Sequence, residues 1–196
     1  SNDYLRLSGK SQFSPFSGWQ LANNALYTYR YVDSAHLKPL PKKFSVIDGM
    51  VRNYFDSTRD VRKYPSEQLV ASTVYMWDPN SPLNIYADSL IKGNRNVGPV
   101  KRWATAAPMM KAYGLELIKT YPSEFIEHYI LPNSIKYYTP PIEFLESYNC
   151  NTDPVQNIAV VWFNFKGNKI YTKFKTKDVT TLTYYPILVG VLNVLI

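Results

Sequence analysis

Two histidines, one cysteine and a few spaced carboxylates are the side chains of this 196-residue chain best suited to metal, nucleophilic or acid–base chemistry. Glu124, Glu127 and His128 partly mimic an inverted zinc-protease helix, but Glu124 stands where that pattern needs its first histidine. His36 and His128 therefore read as surface or capping groups, and neither a metal nor a cofactor is expected. Cys150 becomes a nucleophile only beside a base that lowers its pKa, and its neighbours Asn149 and Asn151 supply none. It reads as an inert thiol. Asp56 and Asp60 sit four apart, yet Arg52, Arg59, Arg62 and Lys63 surround them, so a solvated ion-pair face is the ordinary reading. Glu143 and Glu146 read the same way. The chain has no nucleophile elbow, Walker phosphate loop or dinucleotide fingerprint, so the catalytic residues stay unknown.

A ring-rich set remains: Trp77 with Asp78 and Asn80, and Tyr137 with Tyr138 just before Thr139, Pro140 and Pro141. Flat rings beside amides and carboxylates suit sugar or peptide binding, which makes these five the candidate ligand-binding residues. Packing at the edge of a core is the competing reading, and full burial of the rings would remove the site.

The elements that must position them are mostly helical. Trp19, Ala22, Ala25, Leu26 and Tyr29 recur at helical spacing and predict a helix ending near residue 31. Phe44, Ile47, Val51 and Phe55 predict a second helix that tolerates Gly49, and a third is expected after Pro65 as far as Trp77. Asp78 to Pro82 stop that helix and start a short one over 83–91. The longest periodic stretch, 100–121, contains Pro108, which should kink or divide it. Another helix opens at Pro122 and is expected to end at Pro132, and a short one is expected over 142–148. Tyr-Pro-Ser-Glu occurs at residues 64–67 and 121–124, which reads as shared helix punctuation rather than duplication.

Here the period changes. Val, Phe and Trp are frequent in 158–165, residues 169–176 alternate apolar with basic side chains, and Gly167 with Asn168 marks a turn between them. The expected fold class is accordingly mainly α, a helical array with a C-terminal β-hairpin or small sheet, α+β overall. The expected organisation is a helical domain over 1–150, a hairpin appendage over 151–183 and an apolar tail over 184–196.

That tail carries no charge and is mostly Ile, Leu and Val. It is shorter than the roughly 20 residues a membrane helix needs, so it reads either as the beginning of one or as a buried core strand or helix. Seventeen tyrosines against nine phenylalanines suit partly wet surfaces such as an interface or a membrane-proximal belt. A net charge of +7 favours an anionic partner, although the basic residues are dispersed over several elements. The one cysteine excludes an internal disulfide framework.

The wording of four segments carries a resemblance: Phe16-Ser-Gly-Trp-Gln-Leu-Ala-Asn-Asn-Ala-Leu-Tyr27, Tyr54-Phe-Asp-Ser-Thr-Arg59, Tyr75-Met-Trp-Asp-Pro79, and Leu131-Pro-Asn133 through Tyr138-Thr-Pro-Pro-Ile-Glu-Phe-Leu145. Together they resemble the large soluble region of bacterial polytopic membrane proteins described as glycosyltransferases of the dolichyl-phosphate-mannose protein mannosyltransferase type. The resemblance implies a domain between transmembrane helices at the inner membrane, facing the periplasm. In such enzymes the catalytic acidic residue lies in an early loop, and no position here matches it. The resemblance therefore implies a non-catalytic extracytoplasmic domain that positions an acceptor or a lipid-linked sugar donor. Its partners would be the membrane and the parent chain's transmembrane helices, with nucleic acid not expected. The alternative is a self-sufficient soluble binding protein for glycan or peptide.

Overall fold

Helix formation begins where the sequence caps it. In a computed structural model, which describes residues 2–58, 63, 72–91, 97–140, 152–169, 178–179, 182 and 184–195, helix accounts for 73% of the described residues. The chain divides into two compact units, Ser1–Asn133 and Ser134–Ile196.

In the first unit, α1 (Asn2–Ser8) precedes α2 (Pro15–Arg30), whose entry is fixed by Ser14 Oγ accepting from the Phe16 N–H and by Pro15 in the first turn. The α2 stripe of Trp19, Ala22, Ala25, Leu26 and Tyr29 is wholly buried. Two 3-10 turns, Ser34–His36 and Lys42–Phe44, lead to α3 (Ser45–Thr58), which buries Ile47, Val51 and Phe55. The one-turn α4 (Val74–Trp77) and α5 (Pro82–Leu90) follow. Asn23, buried on α2, holds α4 in place by donating from Nδ2 to Ser72 O and accepting from the Met76 N–H.

The principal packing is α2 against α6 (Pro99–Thr120). Trp19 stacks on Trp103 and Tyr29 meets Tyr121 at 5.6 Å, so residue numbers rise together and the helices run parallel. Two glycines permit that approach. A Cβ at Gly18 would collide with the Ala107 carbonyl oxygen, and one at Gly114 would lie 2.9 Å from the backbone of Leu21 and Ala22. Pro108 does not divide α6, because the carbonyl it leaves without a helical donor finds one elsewhere: Gln12 Nε2 donates to Ala104 O at 2.8 Å.

The chain continues through α7 (Pro122–Phe125) and a π-helical stretch, Ile126–Ile130, into α8 (Leu131–Tyr138). The helix expected to end at Pro132 passes through it. The turn before the proline is widened, the Leu131 N–H bonding to Ile126 O.

The second unit overturns the α+β expectation. No strand or sheet exists among the described residues, and the segment read as a first strand forms α9 (Asn157–Trp162). Local hydrogen bonds outweigh the β propensity of Val160, Val161 and Trp162: Gln156 O accepts from the Ala159 and Val160 N–H groups, which closes a helical turn. The run read as the beginning of a membrane helix or as a buried core strand or helix is α10 (Tyr185–Leu195). An isolated bridge joins Pro154 to Lys169, outside the expected pairing of 158–165 with 169–176. Of the third expected helix, after Pro65 as far as Trp77, the described part is helical only over α4; its portion before residue 72, the second hairpin strand beyond Lys169, the helix expected over 142–148, and Cys150 lie outside the described residues.

Candidate binding groove

The segment from Tyr75 to Asn84 is laced by its own polar groups. Asp78 Oδ1 accepts from the Asn80 N–H at 2.8 Å, and Ser81 Oγ donates to Tyr75 O at 2.6 Å. Asn84 Nδ2 donates to Met76 O and Asp78 O. Ser81 also caps α5, and Ser81 and Asn84 are both buried. Asp78 and Asn80 thus shape a turn, and that turn fixes the direction of Trp77.

Trp77 is 59% exposed and rests on Trp103 with ring centroids 5.3 Å apart, while the other face of that ladder is the Trp19–Trp103 stack at 4.7 Å. Trp19 is anchored in turn, its Nε1–H donating to Trp103 O at 3.1 Å. Arg102 lies over the Trp19 ring at 5.8 Å and is held by Asp88 and by Asn84. This rigid stack forms one wall of a groove of about 360 Å³, completed by Tyr4 of α1, Ser14, Pro15 and Phe16 at the start of α2, and Pro99 and Val100 at the start of α6. The lining is aromatic and apolar with a single aliphatic hydroxyl, and that hydroxyl already caps α2. Both helix starts lack an acidic residue in the first turn, so the groove floor carries the partial positive charge of two helix N-termini.

Of the five expected ligand-binding residues, Trp77, Asp78 and Asn80 come together in the first unit, with only Trp77 lining the groove. Tyr138 belongs to the second unit, half exposed, and lines a different apolar groove of about 490 Å³ with Thr139, Ile187, Gly190, Val191, Val194 and Leu195. Tyr137's side chain lies outside the described set. Trp103, Phe16 and Tyr4 are not among the residues whose types and spacing single them out for binding. Crossing helices, not spacing along the chain, bring them to Trp77.

Glu124 and His128, the residues of the incomplete inverted zinc-protease pattern, are engaged within the fold. Glu124 sits in the first turn of α7, where a hydrogen bond from its own backbone, then one from Ser123 Oγ at 2.8 Å, holds its carboxyl below the usual glutamate range. His128 stacks on Tyr31 at 4.1 Å, and no cluster of three metal-ligating side chains exists among the described residues. A second polar cluster is centred on Asp48 of α3. Tyr113 Oη donates to Asp48 Oδ1 at 2.9 Å and Arg52 Nε to Asp48 Oδ2 at 2.7 Å. Burial, reinforced by the Asp48 carboxylate, pushes the Tyr113 and Tyr29 hydroxyls well above the ordinary tyrosine range. A phenol held protonated beside a shielded carboxylate stabilises the fold and offers no open path to a substrate.

No described helix is long and apolar enough to cross a membrane. Set against protein-family models, curated proteins and solved structures, the chain matches none.

Proposed function

We propose that this chain is a non-catalytic, membrane-associated domain of an integral membrane protein that positions a ligand for chemistry carried out elsewhere in that protein. The observation that carries the reading is α10, an eleven-residue helix without a charged side chain, whose Leu188, Val194 and Leu195 are 58%, 80% and 76% exposed. Its one amide side chain, Asn193, donates to Tyr138 O at 2.9 Å, and Gly190 lets the helix approach Thr139. The Asn193 amide is thus bonded inside its own unit, and apart from the Tyr185 hydroxyl the other side chains of α10 are hydrocarbon. Such a surface is costly in water and favourable in lipid. Eleven residues extend about 16 Å, roughly half the apolar thickness of a bilayer. The net charge of +7 favours anionic headgroups. By the resemblance drawn from its sequence, the parent would be a glycosyltransferase of the inner membrane with this domain on the periplasmic side.

Vesicle flotation tests the reading. The chain should float with lipid vesicles, and Val191→Asp with Val194→Asp, both at exposed positions, should release it from uncharged phosphatidylcholine vesicles. A wild-type chain that stays in the aqueous fraction, or that only self-associates through α10, sinks the proposal.

A second reading, a self-sufficient binding protein, is favoured by the Trp77–Trp103 groove. Of glycan and peptide, the apolar lining suits an extended peptide with proline or aromatic side chains, because few groups there could satisfy sugar hydroxyls. A chain that binds such peptides and ignores vesicles would establish it.

A further inference from the structure

The second unit presents another apolar feature, separate in sequence from α10. Val161, Trp162, Phe163 and Phe165 are exposed in succession, Trp162 at 76% and Phe163 at 67%. Their prominence has a structural cause. Asn164 adopts a left-handed conformation at φ 51°, which folds the chain so that the Phe163 and Phe165 rings stack 5.7 Å apart, and the Phe165 N–H reaches back to Val160 O. The base is closed by the Val155 N–H donating to Asn168 O at 2.7 Å and by the bridge between Pro154 and Lys169. The result is a pinned loop whose tip holds three aromatic rings in water. Directly after the rings come Lys166 and Lys169, and no acidic residue occurs from Asn157 through Lys169.

Rings that protrude from a closed loop and are followed by lysines match the two layers of a bilayer surface, where aromatic side chains settle at headgroup depth and ammonium groups pair with phosphates. An acidic residue at the tip would oppose that arrangement. Resting on the membrane reading of α10, we propose that the Trp162–Lys169 tip is a second, interfacial contact with an anionic bilayer. Trp162, Phe163 and Phe165 enter the headgroup region, and Lys166 and Lys169 bind lipid phosphates. With α10 as the first contact, the tip adds a second that restricts how the second unit can rotate against the membrane.

The test is flotation of the 196-residue chain on phosphatidylcholine vesicles with and without phosphatidylserine, using three variants checked by circular dichroism. These are Trp162→Ser with Phe163→Ser, Lys166→Glu with Lys169→Glu, and Val191→Asp with Val194→Asp. The tip proposal expects the serine variant to partition about tenfold more weakly or less, since two ring insertions and their apolar area are lost. It expects charge reversal to remove the preference for phosphatidylserine while leaving the residual binding to phosphatidylcholine. It also expects the α10 variant to keep a weak, salt-sensitive binding to phosphatidylserine vesicles. Unchanged binding in both tip variants, together with release by the α10 variant, overturns the tip proposal and leaves the membrane reading intact. A wild-type chain that fails to float on either vesicle overturns both.

Discussion

Gln12 Nε2 donates a 2.8 Å hydrogen bond to the carbonyl oxygen of Ala104, the acceptor that Pro108 leaves without its helical donor. Ala104 is wholly buried, so water cannot serve this carbonyl. A side chain from the segment before α2 therefore supplies what the middle of α6 lacks. The same bond ties residues 8–12 to α6, since Gln12 also donates to Ser8 Oγ at the end of α1. That helps to place Tyr4 on the groove wall.

Gln12→Ala should cost about 1–2 kcal/mol by stranding the Ala104 carbonyl. In a Pro108→Ala background the restored N–H serves the same oxygen, and the loss of Gln12 should cost only about 0.5 kcal/mol. Urea denaturation of the two single variants and the double variant measures the coupling. Strict additivity would show that the two residues do not share this acceptor.

Two glycines should respond to alanine with opposite signs. Gly114→Ala places a methyl 2.9 Å from the Leu21 and Ala22 backbone, where no side chain can move aside, and should destabilise by about 3 kcal/mol or more. Gly49→Ala meets no atom within 4 Å in the middle of α3 and should stabilise by about 0.5–1 kcal/mol. Thermal melts of both decide the matter, and a neutral Gly114 variant would mean the α2–α6 contact is looser than described.

Tyr29 and Tyr113 set an alkaline limit on stability. Their folded pKa values are raised, first by burial and then by Asp48, so the folded state keeps protons that unfolded tyrosines release from about pH 10. The stabilisation is fully present below pH 10 and is lost as pH rises above it, by about 1.4 kcal/mol per pH unit for each such group. Tyr113→Phe should lower stability at neutral pH, through loss of the bond to Asp48, yet flatten the decline between about pH 10 and 11.5. Denaturant titrations at several pH values, read beside tyrosinate absorbance, test both parts. An unaltered alkaline slope in the variant would contradict the assignment.

Helices α2, α3 and α6 are legible because each carries a periodic apolar stripe, and α5 because Asp78 to Pro82 punctuates the chain before it, whereas α1 has neither signal and is not anticipated. The π-helical passage through Pro132 is not legible either, since a proline in sequence reports a missing donor and says nothing of the widened turn that precedes it. The β reading of 158–165 fails for a related reason. Propensity records what Val and Trp tolerate, whereas the Gln156 carbonyl and the turn at Asn164 are local events that select helix. Of the site, Trp77 is legible as an aromatic beside polar turn residues. Its wall is not, because Tyr4, Phe16 and Trp103 meet it only through the parallel packing of α2 on α6.

That wall implies a division of labour between two tryptophans. Trp103 lies between Trp19 and Trp77, so Trp103→Ala removes both stacks and should destabilise by about 3 kcal/mol. Trp77 contributes one half-exposed stack, and Trp77→Ala should cost only about 0.5–1.5 kcal/mol while opening one side of the groove. If the groove captures apolar peptide, a proline-rich probe that quenches tryptophan emission of the wild type should lose most of its effect with Trp77→Ala at unchanged secondary structure. Replacement by Phe, which keeps a flat ring on Trp103, should restore much of it. Equal binding by the alanine variant would leave Trp77 as a lid on Trp103 and nothing more.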